Sequence, residues 1–140
     1  MTTYSSAGKI GGKLKFTFNG EYVFLPAHSS DLTSKVCKSY LEELPNIGTV
    51  KCSRNKPDAR GGATWDIQLL KFPVVPYENN LFYHNGTPPL SSFNCDTSLI
   101  TSGTSVTCTL ADVNATQTPG TVGIPKYFIR LYTHLLVYFL

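Results

Sequence analysis

Four cysteines, Cys37, Cys52, Cys95 and Cys108, are the residues of this chain best equipped for chemistry. Their spacing decides which chemistry. No two of them form a C-x-x-C pair and no H-x₃₋₅-H pair accompanies them, so a zinc centre is not expected. An even number of widely spaced cysteines suits two disulfides instead, and hence an oxidising compartment. Two N-x-S/T sequons, Asn85-Gly86-Thr87 and Asn114-Ala115-Thr116, agree with that compartment. Both asparagines stand among turn-forming residues, and Asn85 and Asn114 are expected to be exposed and to carry N-linked glycans.

The other reactive groups do not converge. His28, His84 and His134 are isolated from one another, and the nine acidic residues form no D-x-D-x-D-G calcium loop. There is no G-x-S-x-G elbow and no phosphate-binding loop. A glycosidase would need two carboxylates held apart across a cleft, and no such pair stands out. Asp66 alternates with Thr64 and Gln68, which suits a solvated strand face better than a catalytic acid. Catalytic residues, metal ligands and cofactors are therefore all expected to be none.

Composition narrows the class. Hydrophobic residues make up 41% of the 140 and charged residues only 15%, which argues against a disordered polyelectrolyte. The abundance of Thr, Tyr, Phe and Val, with 11 Gly and 9 Pro, favours strands and turns. The net charge of +3 is scattered, with no basic stripe carrying interleaved aromatics, so nucleic acid is not an expected partner. Met1-Thr2-Thr3-Tyr4 is not followed by an apolar signal-peptide core. The sequence is thus expected to start after a cleaved leader. The alternative is a cytosolic protein with free thiols. The apolar run from Tyr127 to Leu140 contains Arg130 and His134 and is shorter than the ~20 residues of a membrane helix, so no membrane insertion is expected.

The elements follow from periodicity. Residues 1–12 read as a Gly/Ser/Thr-rich arm. Leu14, Phe16 and Phe18 alternate with polar residues, and Asn19-Gly20 is a preferred two-residue hairpin turn that leads into a second strand, Glu21 to Leu25. Leu32, Val36, Tyr40 and Leu44 recur every four residues, with Cys37 and Leu41 beside them. That spacing predicts an amphipathic helix over about 30–44, capped by Ser29 or Ser30 and stopped by Pro45. Residues 49–54 and 63–70 read as strands. In the second, Trp65, Ile67 and Leu69 face the core. Residues 105–113 alternate again, 114–125 form a Thr/Pro/Gly linker, and 126–140 form a β-favouring C-terminal strand. The expected fold is α+β and β-rich: a mixed or antiparallel sheet with one main helix, disulfide-stapled, its domain spanning 13–113.

A set of motifs within residues 13–113 resembles a known repeat domain. Leu14 to Gly20 comes first, followed by Leu41-Glu42-Glu43-Leu44-Pro45-Asn46-Ile47-Gly48. Val50-Lys51-Cys52-Ser53-Arg54 and Gly61-Gly62-Ala63-Thr64-Trp65-Asp66-Ile67 complete the series. The order LExLP-x-IG-x-V, then SR, then GG-x-x-W is similar to that of a repeat domain in very large secreted or cell-surface proteins of algae, oomycetes and other protists. It often occurs there beside immunoglobulin-like modules. The resemblance implies structural or adhesive work and carries no catalytic residues.

Two further expectations concern crosslinks and assembly. Cys37 lies on the apolar side of the helix and Cys52 on the core face of the next strand, so these two are expected to pair, as are Cys95 and Cys108. The alternative is buried free thiols. In the C-terminal strand, Ile129, Leu131, Leu135, Val137 and Phe139 share one face, which must be covered. That face either closes the chain's own sheet or pairs into a neighbouring copy by donor-strand complementation. The favoured expectation is a structural protomer of an extracellular glycoprotein filament or surface appendage. Its partners would be copies of itself and N-linked glycans. The alternative is a monomeric adhesive or carbohydrate-binding module.

Overall fold

The computed structural model describes residues 1–73 and 88–111, together with the backbone of a strand at 127–131. Among the described residues, nine strands and one α-helix run in the order β1 (Thr2–Tyr4), β2 (Ala7–Phe18), β3 (Glu21–Pro26), α1 (Ser34–Leu41), β4 (Thr49–Arg54), β5 (Ala63–Lys71), β6 (Phe93–Asp96), β7 (Ile100–Thr104), β8 (Thr107–Thr109) and β9 (Tyr127–Leu131), with a 3₁₀ turn at Leu90–Ser92. They form two antiparallel sheets. One has the order β4-β5-β1-β8, with β9 also on β5, and the other β3-β2-β6, with β7 on the first half of β2. The β-rich α+β expectation holds, and every described pairing is antiparallel.

The β2–β3 hairpin forms as its turn chemistry dictates. Asn19 and Gly20 both take positive φ, 46° and 86°, the requirement of a type I′ turn, and Phe18 lies opposite Glu21. Alternation then sends Leu14, Phe16, Phe18, Val23 and Leu25 inward, all at most 8% exposed. They share one core with Val50, Trp65, Ile67 and Leu69 of the other sheet and with Leu32, Cys37 and Leu41 around the helix. Phe93 stacks on Phe18 at 4.6 Å between ring centroids and closes the core beside β6. The Cys95–Cys108 disulfide joins β6 of one sheet to β8 of the other, so it staples the two layers.

Three expectations are corrected. The helix spans Ser34–Leu41, not 30–44, because Thr33 caps it: its hydroxyl accepts from the Val36 N–H at 3.3 Å. Leu32 and Leu44 are buried as the periodicity implies, but they flank the helix. Ser29 is buried outside it, and Ser30 bonds His28. The second correction concerns residues 1–12, which are not an arm. Strand β1 lies between β5 and β8, Met1 and Ile10 are at most 2% exposed, and the Ser5 hydroxyl donates to Ala7 and Thr104 carbonyls. Third, the Thr64–Gln68 side of β5 is not a solvated face. Thr64 and Gln68 are each 6% exposed and Asp66 is half-buried, because β5 is an interior strand covered on both faces.

Candidate functional site

The residues of the motif series turn out to be the joints of the fold. The Glu42 carboxylate pairs with Lys38 one helical turn back and accepts the Val50 N–H at 3.0 Å. That N–H lies where the β4–β5 register shifts, between Thr49 and Val50, so Glu42 satisfies a donor at a ladder irregularity. Desolvation pushes the Glu42 carboxyl up, but the Lys38 hydrogen bond and charge and the Val50 N–H outweigh it and hold it below the usual carboxylate range. Leu41, Leu44, Ile47 and Val50 are core. The Asn46 amide donates to Phe18 O at 2.6 Å, Arg54 bonds Ser29 O, and the Trp65 indole N–H donates to Leu32 O at 2.9 Å. Asp58 accepts from the N–H groups of Arg60 and Gly62 and shapes the loop that brings Gly61 against His28. These motif contacts bind helix, loop and sheet together.

Cys37 and Cys52 are where helix and strand meet. The disulfide expected between them is not formed in the structure, where the backbone brings the two together but both are free thiols with sulfurs 2.7 Å apart, Cys37 buried and Cys52 half-buried. The adjacent Cys37 thiol and burial push the Cys52 thiol well up, so Cys52 is poorly suited to act as a nucleophile. Among the described residues no three His, Cys, Asp or Glu side chains cluster closely enough to hold a metal, and no helix is long and apolar enough to cross a membrane.

The edge of β5 opposite β4 is the candidate interface. Two strands share it end to end. Strand β1 pairs with Ala63 and Thr64, and the Met1 backbone exchanges hydrogen bonds with Trp65. Strand β9 occupies the remainder, with Leu131 opposite Trp65, Ile129 opposite Ile67 and Tyr127 opposite Leu69. Ile129 and Leu131 thus fall in register with the core residues of β5, and the ladder is closed within the chain. Leu135, Val137 and Phe139 lie outside the described residues, as do both sequon asparagines, Asn85 and Asn114.

One surface feature was not anticipated. Tyr22 and Phe24 are 52% and 38% exposed on the outer face of the hairpin, with ring centroids 5.4 Å apart. The signal was present in the sequence: if Val23 and Leu25 face inward, Tyr22 and Phe24 must face out. Comparisons with protein-family models, with curated proteins and with solved structures find no match for this chain.

Proposed function

We propose that this chain is a structural protomer of an extracellular glycoprotein filament or surface appendage, assembled when the C-terminal strand of one copy lies on the β5 edge of the next. The observation that carries this reading is the β5–β9 ladder. Its donor follows a 12-residue Thr/Pro/Gly stretch, 114–125, able to reach about 40 Å when extended. A strand tethered in this way makes the same ladder with its own domain or with a neighbour's, which is the basis of domain swapping. The sequence favours exchange. From Ile129 to Phe139 the apolar face continues well past the five paired residues, and on the order of 400 Å² buried in a neighbour is worth about 10 kcal/mol before ordering costs. A head-to-tail contact of this kind propagates unless its rotation closes a ring. The inter-sheet disulfide and the two sequons support an oxidising, extracellular setting. Electron microscopy of the full chain and of a chain ending at Gly123 tests the reading. Filaments from the full chain and none from the shortened one are expected, whereas equal assembly by both excludes the C-terminal strand as donor.

A further inference from the structure

The outer face of the β3-β2-β6 sheet breaks its own pattern. Solvent-facing positions of an antiparallel sheet are normally polar, and Lys13, Lys15 and Thr17 of β2 obey that rule. Tyr22 and Phe24 on the edge strand β3 do not. The register arranges this face in two transverse rows: Phe24–Lys15–Asp96 and Tyr22–Thr17–Asn94. Each row has an aromatic ring on one edge strand and a carboxylate or amide on the other. The rows therefore span about 10 Å, two inter-strand spacings.

Of the polar groups around the rings, two are engaged and three are free among the described residues. The Lys15 ammonium stands 4.2 Å from the Tyr22 ring centroid, and Asp96 is engaged by Ser98 through its N–H and hydroxyl. The Thr17 hydroxyl, the Asn94 amide and the Tyr22 phenol form no hydrogen bond within the described residues. The two rings lie at 66° to one another, so they form a ledge and not a flat apolar patch. A ledge this small gives little area for a protein interface. Aromatic faces ringed by free donors and acceptors match a ligand whose own faces are C–H and whose rim is hydroxyl.

We propose that this face is a glycan-binding site, in which a pyranose unit packs against Tyr22 and Phe24 while its hydroxyls bond Thr17, Asn94 and Lys15. The site goes beyond the assembly reading and does not rest on it, because the β2–β3 hairpin lies in the sheet that does not carry β9. Both rings point away from the core, so removing them leaves the buried face of the hairpin intact.

Titration of the full chain with cellohexaose and with polygalacturonate tests the site and separates neutral from acidic glycans. Binding to at least one is expected, with salt weakening it if the carboxylates of polygalacturonate pair with Lys15. The Y22A/F24A double variant should lose at least tenfold in affinity at an unchanged melting temperature, and Y22F should retain most of the binding. If Y22A/F24A has a lowered melting temperature, N94A and K15A on the same face must weaken binding instead, and their failure to do so overturns the site. Absence of binding to both glycans, or wild-type affinity in Y22A/F24A, overturns it. So does loss of self-assembly in Y22A/F24A without glycan binding by the parent, which makes the face a contact between copies.

Discussion

Glu42 shows how one side chain can connect several layers of the structure. Its carboxylate holds Lys38 on its own helix and the Val50 N–H on β4, so removing it leaves a backbone donor without a partner at the ladder irregularity. E42A is expected to cost about 1 kcal/mol in urea unfolding at neutral pH. The pH dependence has a definite sign. A carboxyl whose folded-state pKa is depressed stabilises the fold above its unfolded value and loses that contribution as pH falls through the folded value. The stability gap between wild type and E42Q should therefore narrow below the ordinary carboxylate range, and a gap that widens on acidification would contradict the assignment. The thiol pair belongs to the same scale. With sulfurs 2.7 Å apart, Cys37 and Cys52 need little motion to join. Non-reducing peptide mapping of oxidised protein should find Cys37 linked to Cys52 as well as Cys95 to Cys108. A bond there closes a loop of about 15 residues and is worth ~3 kcal/mol in the chain-entropy account. Free Cys37 and Cys52 after oxidation would contradict it.

Among the elements, two glycines separate backbone conformation from close approach. Gly20 and Gly61 both have φ of 86°, but a Cβ at Gly20 meets nothing within 4 Å, whereas at Gly61 it falls 2.4 Å from the His28 ring. G20A is expected to cost about 1 kcal/mol, the left-handed strain alone. G61A should cost about 3 kcal/mol, because the ring must move as well. Equal melting temperatures for the two variants would show that His28 yields freely. This contrast also explains what could be read from sequence. The hairpin, β4 and β5 were legible because alternation and an Asn-Gly turn are local signals. The helix was legible in its buried face but not in its length, since Leu32 and Leu44 extend the spacing beyond the helix that Thr33 starts and Leu41 ends. Residues 1–12 were misread because their order comes from partners far along the chain. Gly12 packs so closely on the 99–101 backbone that its Cβ would lie 2.4 Å from Leu99 O, and no pattern within the segment announces that contact. The burial of Thr64 and Gln68 was hidden for the same reason, since alternation in β5 says nothing about what covers its polar side.

For the whole molecule, the two sheets place two different surfaces on two different layers. The sheet built around β5 carries an edge on which the chain's C-terminal strand lies, and the sheet built around β2 carries the Tyr22–Phe24 ledge. The Cys95–Cys108 bond joins the layers, so a load applied to one is passed covalently to the other. Glu42, Asn46, Arg54 and Trp65 bond across elements and lock helix, loop and strands together. The proposed junction is β9 of one copy on β5 of the next, and Asp66 and Arg130 lie opposite each other across that ladder. The most direct test mixes the D66C variant with the R130C variant, lets them assemble, oxidises the mixture mildly and maps the linked peptides. Strand exchange predicts a disulfide between position 66 of one chain and position 130 of another, in covalent dimers taken from the assembled material. Absence of that cross-chain link, with the D66C/R130C double variant closing only within single chains, would contradict assembly by strand exchange.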